Sequence, residues 1–111
     1  FELAPFGMTG LETSLSLVLT NLVKTEKIDL GRMVELMAIA PRRILGLDQV
    51  SVAEGSVADL TVFDPEASWT VDADALESAA RNTGFKGAEL TGRATDVFVG
   101  GVATLRDGVV C

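Results

Sequence analysis

The hydrophobic pattern of this chain changes period at Gly46, and that change limits the fold more than any single motif. Before it, Leu11, Leu15, Val18, Leu19, Leu22 and Val23 recur at intervals of three and four, which puts them on one face of a helix that must bury that face. After it, Ala58-Asp59-Leu60-Thr61-Val62-Phe63-Asp64-Pro65 alternates with period two and reads as a strand over 58–65, bounded by Gly55 and by Asp-Pro. The chain is therefore expected to be helical first and β second. No internal repeat joins the two halves.

Local signals punctuate both halves. Thr9 followed by Glu12 has the spacing of a capping box, which predicts a helix from Gly10, and Lys24 and Lys27 place positive charge at its C-terminal end. Asp29 is the expected N-cap of a second helix, whose Met33, Val34, Leu36, Met37 and Ile39 form a broad apolar surface. Pro41 disfavours helical geometry at Ala40, so a break is expected there, with a new short helix over 41–45 closed by Gly46. In the β half a second short strand is expected over 69–71, a short helix capped by Asp72 over 72–80, and a loop over 81–92. Segments 94–99 and 102–105 flank Gly100-Gly101, the signature of a tight hairpin, and Asp107-Gly108 marks one more turn.

With 111 residues the chain has the size of one small domain. Yet two amphipathic helices present more apolar surface than about four short strands can cover, so a further partner surface is expected. The opening turn Pro5-Phe6-Gly7 runs straight into the first helix, and the chain is accordingly read as entering downstream of a larger body. A formal charge of −7, with Arg42-Arg43 the sole basic cluster, excludes a general affinity for nucleic acid. The longest apolar-rich run is too short and too polar to cross a bilayer, which excludes a membrane role of that kind. A single cysteine excludes an internal disulfide and fits a reducing compartment, so a cytoplasmic location is expected. The chain contains no histidine, which removes the commonest zinc ligand and the commonest general base near neutral pH.

Four stretches together carry a resemblance: Ala4-Pro5-Phe6-Gly7 with Gly10-Leu11-Glu12-Thr13, the run from Ala40-Pro41-Arg42-Arg43 to Leu47, the run from Gly55 to Pro65, and the closing Val99-Gly100-Gly101. They resemble the C-terminal part of dihydroorotase, a metal-dependent amidohydrolase. The first stretch is the narrow one and is similar to the bacterial single-function type, whereas the Gly-to-Ala-Asp-Leu strand is similar to many amidohydrolases, dihydropyrimidinases and allantoinases included. The resemblance implies an α+β fragment: residues 1–47 as the loop and closing helices of a (β/α)8 barrel, and residues 48–111 as the C-terminal part of a small β-sandwich. It implies a parent enzyme that reversibly cyclises N-carbamoyl-L-aspartate to dihydroorotate in pyrimidine biosynthesis, using zinc held by residues upstream of this chain.

By the same resemblance Phe6 and Gly7 contact the substrate, as the family's Phe-Gly pair does, and neither a catalytic residue nor a metal ligand falls in this chain. The fragment is expected to be inactive alone. Its implied partners are the small-molecule substrate and the remainder of the barrel, with a homodimer or an aspartate transcarbamoylase assembly as further ones. Two alternatives stand beside this reading: another cyclic amidohydrolase, such as a hydantoinase, dihydropyrimidinase or allantoinase, and a non-catalytic dihydroorotase-like subunit of an aspartate transcarbamoylase complex. The sequence departs from the family pattern at Gln49-Val50 and at Asn82-Thr83-Gly84-Phe85, where Asn-Thr-Pro-Phe is common, and neither departure is expected to touch the substrate loop.

Other polar residues have plain readings. Asp59 is expected to bond a nearby backbone amide, Asp72 and Asp74 to mark a helix start, and Arg42-Arg43 to lie at a solvated helix start. Trp69 is assigned to the core or the sheet edge, and Cys111 to an exposed terminus.

Overall fold

The computed structural model describes residues 7–111. Two helical runs precede one antiparallel sheet. The first run is α1 (Ser14–Val18), which widens into a π-helical turn at Leu19–Val23; the second is α2 (Leu30–Val34), a π-helical turn at Glu35–Ile39, and α3 (Ala40–Ile44). The strands are β1 (Leu60–Thr70), β2 (Glu89–Val99), β3 (Val102–Arg106) and β4 (Val109–Val110), hydrogen-bonded in the order β1-β2-β3-β4. The arrangement is α+β, as the change of period implies.

The start of α1 corrects the capping-box expectation. The helix begins at Ser14 with Thr13 as its N-cap, and not at Gly10. Glu12 does not reach back to Thr9; its two carboxylate oxygens accept from the backbone N–H groups of Glu77 and Ser78 at 2.9 and 3.0 Å. The carboxylate thus serves orphan donors of a distant turn, a charge-assisted pair of bonds that outweighs the local one. Thr9 Oγ1 is buried with no partner among the described residues. The buried face of α1 is also rotated from the expected apolar stripe. Thr13, Ser16 and Leu19 are buried at a spacing of three, whereas Leu11 is 93% exposed and Leu15, Val18, Leu22 and Val23 are half-buried. The physical reason lies in what the helix meets, which is strand backbone rather than side chains.

At its end α1 closes with Glu26 in the left-handed region at φ 58°, where the Glu26 N–H donates to Val23 O and the Lys27 N–H to Leu22 O, both at 2.9 Å. Lys27 Nζ donates to Asn21 O at 3.4 Å, in keeping with its place near the helix C-terminus.

Asp29 caps the second run as expected, its Oδ1 accepting from the Arg32 N–H at 2.7 Å. The expected break before Pro41 does not occur. Ala40 is helical at φ −62° and ψ −41°, and its N–H reaches five residues back to Glu35 O. The wider turn ahead of Pro41 lets the chain absorb a missing donor and a bulky ring without leaving the helix axis. Gly46 then ends the run at φ 68°, with the Leu47 N–H donating to Arg42 O at 2.9 Å. Met33 is the buried residue of this run; Leu30, Val34, Leu36, Met37 and Ile44 are 39–82% exposed.

In the sheet, the two strands expected over 58–65 and 69–71 are one long strand interrupted by an irregularity. Asp64 pairs with Arg93 and Ser68 with Thr91, so the residues between them bulge opposite Gly92, and Pro65, which has no N–H for a ladder, sits in that bulge. Asp64 Oδ1 accepts from the Glu66 N–H at 2.9 Å and fixes the bend. The loop expected over 81–92 ends early, because β2 begins at Glu89, and the helix expected over 72–80 shrinks to a 3₁₀ turn at Ala73–Ala75. Asp72 does start that turn, with its Oδ1 accepting from the Asp74 N–H at 3.0 Å.

Both predicted turns are present. Gly100 and Gly101, at φ 56° and 82°, join Val99 directly to Val102, and Asp107-Gly108 joins Arg106 to Val109. Asp59 Oδ1 accepts from the Gly100 N–H at 2.7 Å, and the Gly101 N–H donates to Ala58 O at 3.0 Å, so the Ala-Asp pair clamps the hairpin tip as its plain reading required. Leu19, Met33, Val71, Ala73, Leu76 and Leu90 make up the buried apolar core.

Candidate functional site

Of the two expected substrate contacts, Phe6 lies outside the described residues and Gly7 lies within them. Gly7 has φ 113°, a backbone conformation that side chains disfavour, and a Cβ built there would meet nothing within 4 Å among the described residues. Glycine is thus demanded by the turn itself, which leaves the exposed backbone free to approach another molecule. The Gly7 carbonyl accepts from Asn82 Nδ2 at 2.8 Å. This contact corrects the expectation that residues 82–85 stay clear of the loop. A Cβ on Gly84 would come within 2.8 Å of Met8 Sδ, so the absence of a side chain at Gly84 makes room for Met8. Sequence reasoning missed the Asn82 contact because no spacing rule connects residues 75 positions apart.

Behind the loop, the first helical run is seated on the beginning of β2, the stretch that β3, paired only with Val97–Val99, does not reach. Thr20 Oγ1 accepts from the Thr91 N–H at 2.8 Å and lies 3.3 Å from Thr91 O, while Lys24 Nζ donates to Thr91 Oγ1 at 3.1 Å. Ser16 Oγ donates to Gly92 O. Trp69 Nε1 donates to the same two groups, at 3.1 Å to Ser16 Oγ and 3.2 Å to Gly92 O. Side-chain hydroxyls thus take the place of a neighbouring strand along this stretch, which satisfies backbone groups that an uncovered edge would leave open. The helix comes this close only because residue 92 is glycine, at φ 90°: a Cβ there would overlap Leu19 Cδ1 and lie 3.2 Å from Leu19 Cβ. The Arg93 guanidinium stands over the Trp69 ring, 5.3 Å from its centre.

A cavity of about 370 Å³ opens beside this junction, lined among others by Glu12, Trp69, Asp72, Leu76 and Arg93. Its groups are engaged in holding backbone or stacking on the indole. Asp59 and Asp72 hold backbone amides, Arg42 Nε donates to Asp48 O at 2.7 Å, and Arg43 pairs with Glu35 at 2.9 Å. Cys111 is exposed, as expected. Among the described residues no three His, Cys, Asp or Glu side chains come together in a way that could hold a metal ion, and no helix is long and apolar enough to cross a membrane.

Comparison with known proteins gives this geometry a context. No protein-family model matches the chain. A dihydroorotase from Geobacter metallireducens is 48% identical over 101 residues, which is 91% of this chain and 24% of the relative. A dihydroorotase from Citrifermentans bemidjiense is 45% identical over the same shares. Among solved structures, the L-hydantoinase (dihydropyrimidinase) of Arthrobacter aurescens superposes on 97% of this chain with a TM-score of 0.88 and 34% identity, using 24% of its own length. The chain thus spans about a quarter of the length of the relatives it matches, and its four-stranded α+β unit matches the C-terminal part of hydantoinase structures. By sequence, this chain is a homologue of the dihydroorotases of the amidohydrolase superfamily over that quarter of their length.

Proposed function

We propose that the chain is the C-terminal portion of a dihydroorotase whose catalytic machinery lies elsewhere in the parent protein. In that parent, N-carbamoyl-L-aspartate and dihydroorotate interconvert by loss or gain of water across one amide bond. The observation that carries this reading is the 48% identity to a dihydroorotase sustained over 101 residues, against 34% to the hydantoinase. Residues 1–47 are assigned to the edge of a (β/α)8 barrel, where the exposed side chains of Leu30, Val34, Leu36 and Met37 would pack. Residues 48–111 are assigned to a small β-sandwich.

The role of this chain in the reaction is binding. Gly7, with Phe6 before it, lies on a loop that would face the substrate at the C-terminal end of the barrel, the end at which barrel enzymes assemble their sites. The residues present do not fit zinc: the chain has no histidine, and its described carboxylates do not converge in threes. The metal is therefore assigned to the rest of the parent, and the chain by itself is inactive. A cytoplasmic location accords with a parent acting in pyrimidine synthesis.

The second reading, a hydantoinase or dihydropyrimidinase parent, is favoured by the TM-score of 0.88. Hydrolysis of dihydroorotate, hydantoin and dihydrouracil by the protein extended upstream separates the two. Preference for dihydroorotate supports the first reading; preference for either neutral ring transfers the proposal to the second; hydrolysis of none leaves the non-catalytic subunit of an aspartate transcarbamoylase complex in its place.

A further inference from the structure

We propose that Asn82, carried by the sheet half of the chain, is a positioning residue for the substrate loop of the helical half. This rests on the reading that Gly7 meets the substrate. The Gly7 backbone, at φ 113°, has the freedom to adopt several conformations, and its carbonyl is held from outside by the Asn82 side-chain amide, which donates to it at 2.8 Å. A carbonyl fixed in this way fixes the direction of the Gly7–Met8 peptide plane and hence of the Met8 N–H, a backbone group through which a loop of this kind can touch a ligand.

The donor is itself anchored. Arg81 Nη1 donates to Leu76 O at 3.0 Å and to Ser78 O, which folds residues 76–81 into a compact turn. Beyond Asn82, the Phe85 N–H donates to Thr83 Oγ1 at 3.2 Å, and Gly87 and Ala88 pair with the backbone of Val71, which is 1% exposed. Two more contacts join the same pair of segments: Met8 against Gly84, and the Glu12 carboxylate on the N–H groups of Glu77 and Ser78. From Gly7 to Glu12 the described part of the loop is thus latched to one turn of the sheet half. The sheet half, which has no catalytic group of its own, acquires a task in the reaction: it sets the geometry of the loop that receives the substrate.

The test uses the full-length enzyme that carries this chain, with the variants Asn82→Asp, Asn82→Ala and Asn82→Gln. Asp keeps the shape of Asn but turns a donor into an acceptor facing a carbonyl, Ala removes the group, and Gln retains the amide. The expected result is a KM for dihydroorotate raised about tenfold in Asn82→Asp and Asn82→Ala, the cost of one hydrogen bond to a binding loop, with kcat within about twofold of wild type. Asn82→Gln recovers most of the affinity, and the thermal midpoint of all three stays at the wild-type value because the bond is solvent-exposed. Unchanged KM in all three variants overturns the proposal. Loss of kcat together with a lowered thermal midpoint also overturns it, since that outcome marks a merely structural residue. Failure of the wild-type enzyme to hydrolyse dihydroorotate is a separate result: it removes the reading of Gly7 as a substrate contact and this proposal with it.

Discussion

Replacing Gly92 by alanine places a methyl group where α1 rests on β2, and the structure allows the cost to be worked through. The backbone at φ 90° disfavours any L side chain, at about 1–2 kcal/mol. The new Cβ overlaps Leu19 Cδ1 and approaches Leu19 Cβ and Cγ to 3.2 Å. Leu19 is 2% exposed and has no room to withdraw, so overpacking adds about 1–3 kcal/mol. The sum is about 2–5 kcal/mol. With an m-value of about 1.5 kcal/mol/M in urea, the middle of that range lowers the unfolding midpoint by about 2 M.

Trp69, the single tryptophan, bonds Gly92 O directly, so its fluorescence reports this junction. Leu19→Ala removes Cγ and Cδ1, and in the Gly92→Ala background it relieves part of the overlap. The double variant is therefore less damaged than the sum of the two singles by about 1–3 kcal/mol. Additivity of the two changes to within about 0.5 kcal/mol would refute the idea that Gly92 is required for the approach of this helix.

Three further outcomes follow from the same geometry. Ser16→Ala removes both the donor to Gly92 O and one acceptor of Trp69 Nε1; it should cost about 1–2 kcal/mol in urea unfolding and shift the Trp69 emission, and an unchanged spectrum would contradict the assigned bond. Glu26→Gly should stabilise the chain by up to about 1 kcal/mol in thermal unfolding, because Glu26 sits at φ 58°, where glycine fits without strain; a lowered midpoint would contradict the assigned helix end. The isolated chain should bind a hydrophobic dye or self-associate through Leu30, Val34, Leu36, Met37 and Ile44; a monodisperse monomer without dye binding would count against an unpartnered helix surface.

What was legible in the sequence follows the range of the forces involved. The Gly100-Gly101 and Asp107-Gly108 turns, the Asp29 cap and the Gly46 stop are set by neighbours in the chain, and each is found where local chemistry places it. The Thr9-Glu12 capping box fails because a distant turn offers Glu12 two better donors. The stripe on α1 misleads for a related reason: periodicity finds apolar faces, whereas this helix docks by Thr13, Ser16 and Leu19 onto strand backbone. Pro65 and Pro41 signal breaks by local rules, yet the fold absorbs them, one by a bulge and the other by a widened helical turn. Of the candidate site, Gly7 is singled out by the resemblance that the narrow Ala-Pro-Phe-Gly motif carries. Asn82 is not, since only the fold brings it to Gly7.

Whether this chain serves a site completed by the rest of a dihydroorotase is decided by measuring zinc content and dihydroorotate hydrolysis side by side. One sample is the 111-residue chain and the other is the protein extended upstream to the length of its relatives. Zinc and turnover are expected in the extended protein alone. Turnover by the isolated chain, or neither zinc nor turnover in the extended protein, would contradict that expectation.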